Sequence, residues 1–214
     1  MGRIWVWREE EFEPLVEELR ALLLAGGLVA LPTETFYALA VHPFEEAALV
    51  RLFHLKERSP EKPVLVLVGG PEMLPQVAGE VPEAGVRLVA RFWPGPLTLI
   101  LPARAGLPGL LTGGTGTIGV RQPRHVVTGR LVAALGFPVT GTSANRSGRP
   151  PLITAEEVAR ELGPGVDLIL EAGPCPGGLP STIVDVTCAP PRLVRAGAVP
   201  LARLTEVVPN VALR

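Results

Sequence analysis

Glycine and proline punctuate this chain from end to end, 24 of each in 214 residues, spread along it rather than gathered into one linker. Proline cannot donate to a helix or a ladder and glycine weakens both, so the regular elements have to be short. The most apolar stretch, ALLLAGGLVALP, is broken by Gly26, Gly27 and Pro32, well short of the roughly 20 apolar residues that a membrane-spanning helix needs. The opening MGRIWVWREEEFEP mixes Trp with charge and lacks the basic segment followed by an apolar run that marks a secretory signal. Hydrophobic residues make up 47% of the chain, enough for a sizeable core. The expectation is one soluble, cytoplasmic domain over residues 1–214.

Between the breakers, periodicity assigns the elements. Phe12, Leu15, Val16, Leu19, Leu22 and Leu23 follow helical spacing up to the glycine pair. LVAL is a short buried strand that Pro32 ends, and FEEAALVRLFHLKER repeats the helical pattern with Lys56 and Arg58 at its C-terminal end. PVLVLV, LTLILP, TIGVRQ, PVTG, VDLIL, STIVDV and RLVR read as strands, with helices over 84–92 and 125–135 and a short closing helix. Thr154 and Glu157 have the spacing of a capping box for a further helix. Strands alternating with helices, and a strand-richer end, predict an α/β fold around a twisted sheet of mixed parallel and antiparallel strands.

Charge narrows the function. The formal net charge is −1, which argues against a broad basic surface for nucleic acid, so any positive site must be local. Cys175 and Cys188 lie in no metal-ligand spacing, and no metal site built from side chains is predicted. The chain's two lysines, Lys56 and Lys62, flank Arg58 within HLKERSPEKP, while the other eighteen basic side chains are arginine. Cations at a helix end are favoured by the helix dipole alone, but Lys62 lies beyond Ser59 and Pro60, which stop the helix. Three cations around a proline-bounded turn repel one another unless an anion sits among them, and an ammonium beside a guanidinium suits phosphate or a small carboxylate.

Other polar loops sit at strand ends. PTETFYAL follows a buried strand, the position ligands favour in open α/β sheets, although taken alone its threonines read first as turn residues bonding their own backbone. GGTGTIGVRQP spells G-x-G-x-x-G, but a strand and not a helix follows the glycines, so it is not a dinucleotide fingerprint. It leaves Arg121 at a strand end, able to hold a carboxylate through two parallel hydrogen bonds. TGTSANRSG supplies Ser143, Asn145 and Ser147 among small residues that let a ligand approach the backbone. Ser181, Thr182 and Arg195 lie near further strand ends.

The ordered set PTET-x-Y, K-x-R, FWPGPLT, VR-x-P-x-H, SAN-x-SG, STIVDV and LVRAG resembles the YrdC-like threonylcarbamoyl-AMP synthases from about residue 20 to about residue 200. That resemblance implies a concave, locally positive cleft. It also implies an enzyme joining L-threonine, bicarbonate and ATP, with Mg²⁺, into threonylcarbamoyl-AMP and pyrophosphate. A separate transferase complex would then modify the tRNA adenosine beside the anticodon. Carried over residue by residue, Thr35, Arg121, the Gly141 backbone and Ser181 would hold L-threonine. Arg58, Lys62, Thr117, Ser143, Asn145, Pro151 and Arg195 would contact ATP, and Lys56 with Arg58 would carry the catalytic charge. His42, His54 and His125 are expected to be structural or exposed. Phe36 and Ala38 stand where the family usually has Val and Gly, Lys62 where it usually has Asn, and Pro151 where it often has Ser. The chain also stops without the extra C-terminal domain of the long members, so no lid from that domain is expected. The alternative reading is an RNA-binding module, its cleft touching tRNA or double-stranded RNA during tRNA or ribosome maturation.

Overall fold

The computed structural model describes residues 2–213. In chain order the strands are β1 Arg3–Val6, β2 Val29–Leu31, β3 Ala38–Ala40, β4 Val66–Leu67, β5 Leu97–Pro102, β6 Thr117–Arg121, β7 Val139–Thr140, β8 Thr142–Ser143, β9 Leu168–Glu171, β10 Thr182–Asp185, β11 Arg192–Arg195 and β12 Ala212–Leu213. The helices are α1 Phe12–Leu24, α2 Glu46–Lys56, α3 Glu83–Phe92, α4 Gly109–Thr112, α5 Val126–Leu135, α6 Ala155–Leu162 and α7 Leu201–Thr205.

Local sequence accounts for most of these elements. α1 buries Leu15, Val16, Leu19 and Leu23 along one stripe, and each fully buried leucine contributes about 1.5–3 kcal/mol of transfer free energy. α6 starts on the expected capping box: the Thr154 hydroxyl accepts from Glu157 N at 3.2 Å, and the Glu157 carboxylate accepts from Thr154 N at 3.2 Å. α2 is shorter than its pattern, ending at Lys56 because Glu57 turns into the left-handed region at φ 51°, so Arg58 lies in the following loop and not on the helix. PVLVLV yields only the two residues of β4.

The mixed α/β class stands, but the strands form two sheets where one was expected. One sheet runs β1-β9-β2-β3-β8 and the other β12-β11-β10-β5-β6-β4-β7, each mixing parallel and antiparallel pairs. The chain passes from the second sheet to the first between β7 and β8, at Gly141. There its N–H donates to the Leu65 carbonyl at 2.8 Å. A Cβ added to Gly141 would lie 2.5 Å from Leu67 Cγ, so only glycine lets the backbone pass this close.

The histidines are structural or exposed, as expected. His54 is exposed, and the His125 imidazole caps α5 by accepting from Thr128 N at 3.4 Å. His42 is buried with its ring centroid 4.7 Å from that of Phe137 and 5.4 Å from that of Phe44, and its Nδ1 has no hydrogen-bond partner among the described residues. Burial holds the His42 pKa below its ordinary 6.5, the nearby Glu45 only partly opposing. The unfolded chain therefore binds a proton that the folded chain refuses, and the associated stability is lost as pH falls through 6.5 towards the folded value. His42→Phe should flatten the acid side of a plot of melting temperature against pH; an unchanged acid side would assign that loss to other groups.

Candidate ligand-binding cavity

Strand alternation builds the floor of a cavity of about 530 Å³. Thr117, Gly119 and Arg121 from β6, Thr98 and Ile100 from β5, Ile183 from β10 and Val194 from β11 all face it. Their sequence neighbours Ile118, Val120, Leu97, Leu99, Leu101, Val184 and Leu193 are buried in the core. One period-two pattern thus fixes both the core face and the cavity face of the seven-stranded sheet. Ala38 of β3 and Thr142 and Ser143 of β8 supply the opposing wall from the other sheet. Phe36 and Ala38, two of the departures from the family pattern, both line the space.

Arg121 is the most deeply held cation of the lining. Its guanidinium Nη2 lies 2.7 Å from Glu34 Oε1, and both side chains are largely shielded, at 6% and 14% exposure. The contact is an ion pair without hydrogen-bond alignment: both Glu34 oxygens and Arg121 Nε lack hydrogen-bond partners among the described residues. Arg121 also reaches Thr35 Oγ1 at 3.3 and 3.4 Å. The two threonines of this loop divide the work. Thr33 serves the turn, donating to the Phe36 carbonyl and accepting from Thr35 N and Phe36 N. Both line the cavity, and only Thr35 reaches Arg121.

Arg195 sits across the floor. It donates to the Ser181 carbonyl at 2.8 and 3.1 Å and to Ser181 Oγ at 3.0 Å, and Ser181 Oγ lies 2.8 Å from Thr98 Oγ1. Burial first, and the charge of Arg121 second, lower the Arg195 pKa. Arg58 donates to the Lys62 and Pro63 carbonyls at 3.2 and 2.7 Å, closing the loop that carries the exposed Lys62 to the cavity. Arg58, Lys62, Arg121 and Arg195 therefore line one space that has no carboxylate side chain of its own in the lining.

Of the twelve site residues expected from sequence, ten line this cavity: Thr35, Arg58, Lys62, Thr117, Arg121, Gly141, Ser143, Pro151, Ser181 and Arg195. Lys56 and Asn145 do not. The expectation that Lys56 lines an anion site is corrected by its burial: it is 2% exposed, and its Nζ donates to the carbonyls of Ser143 and Asn145 and to Asn145 Oδ1. Burial, with the charge of Arg58 second, pulls the Lys56 ammonium down to about 7. The three oxygens work in the opposite direction, since a neutral amine has too few protons for all of them. Asn145 is likewise spent inside its loop, accepting from Ser143 Oγ and donating to the Arg146 and Arg149 carbonyls. Lys56 O accepts from Ser147 N, and Arg146 pairs with Glu57, so the end of α2 and the 143–149 loop form one frame.

Glu34, which pairs with Arg121, and Thr98, in the cavity lining, carry no role in the sequence reading. Glu34 was passed over although a shielded arginine needs a counter-charge. Thr98 was hidden in a strand, where a lone threonine reads as β-former.

Comparison with known proteins bears on this geometry. A family model for Sua5, YciO and YrdC proteins, described by the words "telomere recombination", matches residues 21–197. A threonylcarbamoyl-AMP synthase of Pyrococcus abyssi is 37% identical over 188 residues, covering 88% of this chain and 55% of that protein. One from Idiomarina loihiensis is 37% identical over 161 residues, covering 74% of this chain and 87% of that protein. The crystal structure of P. abyssi Sua5 complexed with L-threonine superposes with a TM-score of 0.92 at 34% identity, covering 100% of this chain and 62% of that one. The chain thus spans little more than half the length of the Pyrococcus relative.

Proposed function

The chain belongs to the Sua5/YciO/YrdC family, and from that premise we propose that it is an L-threonylcarbamoyladenylate synthase, consuming L-threonine, bicarbonate and Mg-ATP. The observation that carries the reading is the convergence of four cations, the buried Arg121 among them, with Thr35, Ser143 and Ser181 on one cavity between two sheets. In this reading Thr35, Arg121, the Gly141 backbone and Ser181 hold L-threonine, with the Arg121 guanidinium addressing the carboxylate. Arg58, Lys62, Thr117, Ser143, Pro151 and Arg195 take the nucleotide. Lys56 and Asn145 act from behind, by fixing the loop that presents Ser143.

The threonine amine attacks the bicarbonate carbon, a carbamate forms with loss of water, and a carbamate oxygen displaces pyrophosphate from the α-phosphorus. Negative charge builds on the phosphoryl oxygens, so positioned cations stabilise the transition state more than a general base would. Mg²⁺ arrives as part of the nucleotide substrate; the described residues hold no cluster of three or more His, Cys, Asp or Glu side chains to bind it independently. Residues 1–214 act as one domain, a separate transferase complex takes the adenylate to tRNA, and the setting is the cytoplasm. No helix among the described residues is long and apolar enough to cross a membrane.

Pyrophosphate release measured with the purified chain tests this. It should require L-threonine, bicarbonate and Mg-ATP together, and omission of any one should return it to background. Release indifferent to threonine would defeat the proposal.

A further inference from the structure

We propose that the Phe36 ring is the surface against which the purine base of the nucleotide lies, so that Phe36 sets the affinity of the cavity for the base. The inference rests on the proposed function, which supplies the nucleotide, and adds where its base goes.

The chain has six phenylalanines. Phe53 lies in the core, and Phe12, Phe44, Phe92 and Phe137 pack against it. Phe36 is the exception: partly buried, it lines the cavity and takes no part in that core. None of the ring pairs or cation–π contacts among the described residues involves it. The neighbouring Gly177 has no side chain to cover it, and even a Cβ there would stop 4.0 Å from Phe36 Cε1. A phenylalanine left out of the core forgoes the burial that makes an aromatic side chain worth its place. On a cavity wall that burial is available to a ligand.

The wall it stands on is the one that carries Ser143 and Pro151. Ala38 pairs with Ser143, the Tyr37 carbonyl accepts from Ala144 N at 2.7 Å, and Tyr37 N donates to the Leu152 carbonyl at 2.9 Å. The chain on either side of Phe36 is thereby tied to the segment bearing those two residues, which the proposed function gives to the nucleotide. Ile100, Ile183 and Val194 add aliphatic surface from the other sheet. Chemistry then selects the occupant. L-threonine, bicarbonate and the triphosphate have no flat apolar face; the adenine base has one, and stacking on an aromatic ring is an attraction that the valine usual in the family cannot supply.

Calorimetry on the purified chain with Mg-ATP, with inorganic tripolyphosphate and with L-threonine tests the proposal. Phe36→Val should weaken Mg-ATP binding roughly tenfold, the scale of one stacked base, and Phe36→Tyr should retain it. Tripolyphosphate and L-threonine, which lack the base, should bind the valine variant as they bind wild type. An ATP affinity indifferent to Phe36→Val overturns the proposal. So does one that falls together with the tripolyphosphate affinity, because the ring would then be shaping the cavity and not holding the base. A loss confined to L-threonine would put the ring at the amino-acid end, also against it. Should the valine variant not fold, Phe36→Leu keeps most of the bulk without the π face, and wild-type ATP binding there would sink the idea. Base-dependent ATP binding through Phe36 without pyrophosphate release would defeat the synthase reading and leave this proposal standing; a wild type that binds no Mg-ATP defeats both.

Discussion

Arg121→Met is expected to lower stability by about 3–5 kcal/mol and the melting temperature by roughly 10 °C, as well as to abolish L-threonine binding. The stability loss follows from what remains. Glu34 keeps a carboxylate that is only 14% exposed and has no hydrogen-bond donor of its own, so removing the guanidinium leaves it desolvated and unpaired. The double variant Arg121→Met with Glu34→Leu removes both charges, and most of the stability should return, because an apolar pair in place of a buried ion pair is often neutral or better. Binding should not return with it. Melting curves and threonine calorimetry on the two single variants and the double separate the roles. A single variant as stable as wild type would show that Glu34 does not depend on Arg121, and a double variant that still binds threonine would remove Arg121 from the substrate site.

Lys56→Met should reduce pyrophosphate release by about 100-fold, the penalty of displacing catalytic groups by an ångström or so, and should destabilise the fold by about 2 kcal/mol. Both effects arise from one cause. The ammonium is the shared donor for the Ser143 and Asn145 carbonyls and for Asn145 Oδ1, and without it both carbonyls lose this donor while Asn145 Oδ1 keeps only Ser143 Oγ. Lys56→Arg should rescue poorly, since a planar guanidinium cannot present its donors to oxygens gathered around a point. Hydrogen exchange over residues 143–149 is the deciding measurement: faster exchange in Lys56→Met supports a framing role. Unchanged exchange and stability with lost turnover would instead put the Lys56 charge on the substrates directly.

The contrast between these two residues shows what sequence can convey. Arg121 ends a strand and Lys56 ends a helix, each running into a polar loop, and a positive charge at such an end reads as a ligand group in either case. Whether the charge faces the cavity or turns back into the protein depends on oxygens 87 and 89 residues away in Ser143 and Asn145, which no local pattern encodes. For the same reason α1, β5 and β6 were legible from their periodicity, and the capping box of α6 from its spacing. The strands β3 and β8 were not: at three and two residues they are too short to show a period, and they are defined by pairing, β3 with β2 and β8 and β8 with β3. β1 was hidden by the charge and tryptophan around it, and it is defined by parallel pairing with β9, more than 160 residues on. The split into two sheets follows from the same blindness, since it turns on the backbone at Gly141 passing against Leu67.

That crossing at Gly141 has a mechanical reading. The cavity draws one wall from each sheet, and between β7 and β8 the sheets are joined by a single residue with no side chain. A molecule that fills the cavity therefore acts as a removable crosslink between two otherwise separately laddered halves, and its binding free energy is added to their cooperativity. Saturating ligand should slow amide exchange in β3 and β6 together, adding a second tie to the one core the two sheets already share.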